Sequence, residues 1–110
     1  MEKQTAGRTQ LGDLAPKFAE LNDDILFGEV WSREEKLSLR DRSLITIAAL
    51  FSAGLYPQLK SHIELGKEHG LKKDELVEVV TQLAFYCGWP KAWQTFPMIE
   101  EIYGKENNNE

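Results

Sequence analysis

Apolar residues recur at helical spacing along almost the whole chain. Leu14, Phe18, Leu21 and Ile25 follow one another at intervals of four, three and four, which sets them on one helix face. Asp13 suits the N-cap of this helix, because its carboxylate can accept an orphan N–H of the first turn. Pro16 would lie in that turn, where its missing N–H does little harm. Gly28 marks the expected end. Glu29-Val30-Trp31 then reads as a short connector, and Ser32-Arg33-Glu34-Glu35 has the spacing of a capping box. Ser38, three residues ahead of Asp41, is a second cap candidate and opens a helix over Leu39 to Ala53. Past Arg42 this helix is apolar on nearly every side, so it must be enclosed all round. A chain of 110 residues has little else to cover it, which predicts that a second subunit shares the burial of Leu44 to Phe51.

Tyr56-Pro57 restarts the chain, with Pro57 suited to the first helical position, and Gly70 is the expected C′ residue of this third helix. Leu76, Val79, Val80, Leu83, Ala84 and Cys87 form the clearest apolar stripe, and their helix ends at Gly88. A fifth helix begins at Pro90, with Trp89, Ala92, Trp93, Phe96 and Tyr103 toward one side and Pro97 expected to kink it or shift its start. No strand pattern of useful length appears. The pattern predicts an all-α single domain over residues 1–110, with its core within 14–103 and a frayed end from Lys105 to Glu110.

Composition narrows the function classes. Lys and Arg total 13 against 18 Asp and Glu, a formal net charge of −5 with no basic block, so the footprint of a nucleic-acid binder is missing. The longest uncharged run, Ser43 to Leu59, is broken by Gly54 and Pro57 and is short for a bilayer span. Met1 to Gln10 is polar and does not read as a signal peptide, and one cysteine, Cys87, allows no intrachain disulfide. These features favour a cytoplasmic protein without membrane attachment.

Few residues suggest chemistry. His62 lies beside Leu59 and Ile63, where an imidazole can act as general acid or base or can simply satisfy a core hydrogen bond. His69 shares its face but falls at the helix end, which suits a structural cation. No His-x-x-x-His, Glu-x-x-His or Cys-x-x-Cys spacing occurs, so no metal is expected. Cys87 sits in an apolar stripe, as a small buried hydrophobe or a reactive thiol. Arg33, Arg40 and Arg42 flank the start of the second helix, where they could hold a carboxylate or pair with nearby acids. Trp31, Tyr86, Trp89 and Trp93 could line a pocket for a small cyclic ligand or be core.

Three segments carry a resemblance: Leu-Ser-Leu-Arg-Asp-Arg-Ser-Leu-Ile-Thr-Ile-Ala (37–48), Leu-Lys-Ser-His-Ile-Glu-Leu-Gly (59–66) and Gln-Leu-Ala-Phe-Tyr-Cys-Gly-Trp-Pro-Lys-Ala (82–92). With the lead-in Leu26 to Arg33, they resemble the carboxymuconolactone decarboxylase family, which includes alkylhydroperoxidase D-like proteins. The resemblance implies an intertwined helical oligomer, a dimer, trimer or hexamer. For activity it implies either decarboxylation of a lactone dicarboxylate without metal or organic cofactor, or peroxide reduction by a Cys-x-x-Cys pair. His62 falls on the family histidine, while the peroxidase cysteine positions are Leu55 and Gln58. The glutamate frequent in the Arg-x-Arg-Glu-Leu version of the motif is replaced by Ser43. The resemblance thus favours a lyase in which His62 supplies a proton, Arg33 or Arg42 holds a carboxylate, and Trp31, Tyr86 and Trp89 form apolar walls. The alternatives are a thiol-dependent, peroxiredoxin-like peroxidase using Cys87 alone, and a non-catalytic binding module.

Overall fold

We describe the fold from a computed structural model, which covers residues 1–104; the end expected to fray, Lys105 to Glu110, lies outside the described residues. Every regular element among these residues is helical, in agreement with the all-α expectation. They gather into two compact units, Met1–Leu39 and the chain from Arg40 onward.

The first unit begins with α1 (Ala6–Leu11) and α2 (Pro16–Glu20), which runs on as a π-helical segment over Leu21–Val30. A buried carboxylate organises it. Asp23 accepts the backbone N–H of Gly7 at 2.9 Å and of Arg8 at 3.0 Å, donors at the start of α1 that the helix cannot satisfy itself. Bonding from the Asn22 amide, joined by these N–H groups, holds the Asp23 carboxyl below the ordinary range, despite the opposing effect of burial. Arg8 forks onto Asp24 with two bonds of 2.8 Å. A Cβ on Gly7 would come within 2.7 Å of Asp23 Oδ1 and 2.9 Å of the Ala19 carbonyl, so the approach of α1 to α2 requires glycine.

Several expectations are corrected here. Polar Ala6–Leu11 is helical although it carries no apolar stripe, because its first turn is capped from Asp23, distant in sequence. Asp13 caps nothing: α2 starts at Pro16, with Ala15 as the N-cap residue. The helical path continues past Gly28 to Val30, and a wide-turn bond from Trp31 N–H to the Leu26 carbonyl (2.9 Å) closes it. The Ser32 hydroxyl donates backward, to the carbonyls of Gly28 (3.0 Å) and Glu29 (3.1 Å). It therefore serves the end of one helix, and no helix starts after it at the proposed capping box.

The second unit holds α3 (Leu39–Ala53), α4 (Tyr56–Glu68), α5 (Lys73–Cys87) and α6 (Trp89–Tyr103). Its core joins Ile47 and Phe51 of α3, Leu59 and Ile63 of α4, Leu76, Val80 and Ala84 of α5, and Ala92 and Ile99 of α6, with Leu71 between α4 and α5. The α5 stripe is as expected. On α6 the buried line is Ala92, Thr95 and Ile99; of the expected face, Ala92, Phe96 and Tyr103 join the core, whereas Trp93 (73% exposed) and Trp89 do not, which corrects that part of it. Pro97 does not end α6, although it leaves the Trp93 carbonyl without its helical N–H partner. On α3, Ser43, Ile47 and Phe51 are buried, but Ile45 is 57% exposed, so the chain by itself does not enclose this helix all round.

Gly70 closes α4. The N–H of Leu71 bonds the Gly66 carbonyl (2.9 Å) and that of Gly70 the Lys67 carbonyl (3.2 Å), a Schellman arrangement in which the C′ residue takes φ +99°. A Cβ at Gly70 would meet nothing within 4 Å, so a side chain there costs only backbone strain. Gly70→Ala should lower stability by about 1–2 kcal/mol, read as a lower urea midpoint with an unchanged slope.

Candidate functional site

Ser43 of α3 and His69 at the end of α4 meet where the two helices pass. Gly66 permits the approach: a Cβ there would lie 2.9 Å from Leu71 Cδ1, 3.1 Å from Ile47 Cδ1 and 3.6 Å from Ser43 Cβ. Ser43 is fully buried, and its Oγ lies 2.8 Å from Nδ1 of His69. His69 is the C-cap residue of α4, and its backbone N–H reaches the carbonyls of Leu65 (3.0 Å) and Gly66 (3.1 Å). The ring is thus held from both sides: the helix end fixes its backbone and Ser43 fixes its imidazole.

His62 stands two turns earlier on the same face of α4. The residue is half-buried, with its Nδ1 shut off from solvent. Burial lowers its proton affinity below that of an ordinary histidine, and the His69 ring adds to the effect. His62 is therefore mainly neutral near pH 7, a base until it takes up a proton.

The other expected site residues are dispersed. Arg42 is half-buried in the turn of α3 that carries Ser43, while Arg40 pairs with Glu75 of α5. Trp31 and Arg33 belong to the first unit, where Trp31 is buried and stacks on Phe27 at 5.5 Å and Arg33 is exposed. Tyr86 is 80% and Trp89 54% exposed at the junction of α5 and α6, with Phe85 edge-on to Trp89 at 5.5 Å. Trp89 lines an apolar cavity of about 370 Å³ with Trp93, Phe96, Pro97 and Glu100; His62 is not in its lining. Cys87 is half-buried in the last turn of α5, where its backbone carbonyl accepts from the Lys91 ammonium at 3.0 Å. Sequence reasoning missed the pairing of Ser43 with His69, because it joins two helices across 26 residues and follows no local spacing.

Residues 16–101 match the model of the carboxymuconolactone decarboxylase family. The chain belongs to this family. It is 34% identical over 93 residues to a 4-carboxymuconolactone decarboxylase of Acinetobacter baylyi, an alignment covering 84% of this chain and 69% of that protein. It is also 27% identical over 86 residues to an uncharacterized 15.0 kDa protein of Paracoccus denitrificans, covering 76% and 63% of the two chains. The family match takes in Arg42, Ser43, His62, His69 and Cys87. Leu55 and Gln58 stand seven and four residues before His62, so the positions where the family's peroxidases carry a cysteine pair hold no thiol. Among the described residues, no helix is long and apolar enough to cross a membrane.

Proposed function

We propose that the protein is a cofactor-independent carboxy-lyase that decarboxylates a small cyclic carboxylate of the lactone class, with His62 as proton donor. The observation that carries this reading is the half-buried His62 on α4, with its Nδ1 out of solvent. The name of the Acinetobacter relative supplies the substrate class. In the reaction, the bond between the ring carbon and its carboxylate breaks and CO₂ leaves with no net charge. The electron pair stays behind as a dienolate, which takes a proton from the His62 imidazolium; water then returns a proton to the ring. Arg42 is the cation of this unit suited to hold a substrate carboxylate.

The family match runs across the junction between Leu39 and Arg40, which supports reading both units as one domain. Self-association, as a dimer, trimer or hexamer, would cover the open apolar face of α3 and the exposed aromatics Tyr86 and Trp89. In such an assembly those aromatics act as walls that keep the site dry. The test is CO₂ release from 4-carboxymuconolactone by the purified protein. Turnover should rise as the pH falls through the lowered pKa of His62, because only the protonated ring can donate. A protein that binds the lactone but releases no CO₂ at any pH between 5 and 8 overturns the proposal.

A further inference from the structure

The apolar cavity between α5 and α6 has no part in the reaction just described, since His62 is not in its lining. Small residues leave the space: Ala84 of α5 and Ala92 of α6 are its buried floor. Trp89, Trp93, Phe96 and Glu100 line it from one helix, at intervals of four, three and four, which sets three aromatic rings and one carboxylate in a single row along α6. Phe85 meets Trp89 at 5.5 Å and an interplanar angle of 77°, an edge contact that steadies the far end of the row. No lysine or arginine lines the cavity. Its other polar side chain is Thr81, whose hydroxyl already donates to the Val77 carbonyl at 2.7 Å. Glu100 makes no ion pair among the described residues, while its neighbour Glu101 takes Lys60 at 2.8 Å. The residues three and four places from Glu100 on either side, Phe96, Pro97, Tyr103 and Gly104, include no cation.

We propose that this cavity binds a small quaternary ammonium compound, with the cationic head group seated among Trp93, Phe96 and Glu100. The site goes beyond the carboxy-lyase reading and does not depend on it. Charge decides the class of ligand. An anion, the lactone included, would meet a carboxylate and no compensating cation. A neutral apolar guest would strip water from Glu100 and return nothing to it. A cation gains twice, from the negative faces of the aromatic rings and from the opposite charge of Glu100. A primary ammonium needs acceptors for three N–H donors, and the polar side chains of the lining offer only Glu100 and the Thr81 oxygen. A quaternary nitrogen has no N–H to satisfy. The same carboxylate argues against a second copy as the occupant, because an apolar face laid over this end would bury Glu100 unpaired. Self-association over Tyr86 and Trp89 would reach only the opposite end of the row. The volume of about 370 Å³ suits a small molecule.

The chain has three tryptophans, so indole N–H signals report on the cavity through Trp89 and Trp93, with Trp31 of the first unit as the internal reference. Choline chloride, titrated at constant ionic strength, should shift the Trp93 signal saturably, Trp89 less, and Trp31 not at all. Sodium acetate, and the uncharged choline analogue with carbon in place of nitrogen, should leave Trp93 nearly unmoved. Glu100→Gln, at an exposed position, should weaken choline binding by about 5- to 10-fold. Trp93→Leu, which keeps an apolar side chain but offers no ring face, should weaken it by about 3- to 10-fold, read at the backbone amides of α6. Amide spectra report whether each variant is folded. The proposal is overturned by equal binding of choline and its uncharged analogue, by undiminished choline binding in Glu100→Gln, or by a Trp93 signal that never saturates. A Trp93 signal that answers to protein concentration and not to choline overturns it too, as the mark of a second copy in the cavity. Glu100→Gln should release CO₂ from the lactone as the wild type does, so this proposal and the carboxy-lyase reading fail separately.

Discussion

Replacing His62 with alanine should lower kcat on the lactone by roughly 100- to 10,000-fold and leave KM nearly unchanged, the range that a lost general acid commonly costs. The argument turns on where charge develops. Loss of CO₂ leaves a dienolate, and without a donor at hand this carbanion must wait for water, which the half-buried setting of His62 keeps at a distance. The carboxylate of the ground state does not need His62, so binding should survive the substitution. The pH profile separates this role from a structural one. Wild-type kcat falls as pH rises through the depressed His62 pKa, whereas the residual rate of His62→Ala should lack that limb. His62→Gln, which keeps the volume and a hydrogen-bonding group but cannot carry the proton, should be as slow as the alanine variant. A glutamine variant with wild-type turnover would assign His62 to packing.

How much of this was legible in the sequence depends on the range of the forces involved. The bounds of α3 follow from the cap candidate Ser38 and the stop at Gly54, and the buried Leu76, Val80 and Ala84 of α5 from periodicity, because these signals are local. The turn at Gly70 was legible for the same local reason. What escaped is what two distant segments make together. α1 exists because Asp23 caps it, and the Ser32 hydroxyl had two possible helices to serve and took the earlier one. On α6, the expected face kept Ala92, Phe96 and Tyr103 but turned toward Thr95 and Ile99, because close packing against the core favours small side chains over Trp89 and Trp93. In the candidate site, His62 was legible as a family position. The fixing of His69 by Ser43 was hidden, since a serine in an apolar helix reads as a replaced carboxylate until its partner is known.

The largest expected loss of stability is at Phe51. It is 1% exposed and the bulkiest of the fully buried side chains, and it shares one core with Leu59 and Ile63 of α4 and with residues of α5 and α6. Phe51→Ala removes that apolar volume and leaves a cavity that neighbouring helices fill only in part, at a cost of about 3–5 kcal/mol. Small domains are stable by about 5–15 kcal/mol in all, so much of the margin is lost. Urea unfolding should show a greatly lowered midpoint. Phe85→Ala, at a ring 76% exposed in the single chain, provides the contrast and should change the midpoint little at low protein concentration. Phe51 also lies on one line of α3 with Ile47 and Ser43, so the cavity loosens the helix that holds the His69 ring. If subunits share the burial of α3, the wild-type midpoint rises with protein concentration, and Ile45→Asp on its open face should abolish that rise while sparing the core.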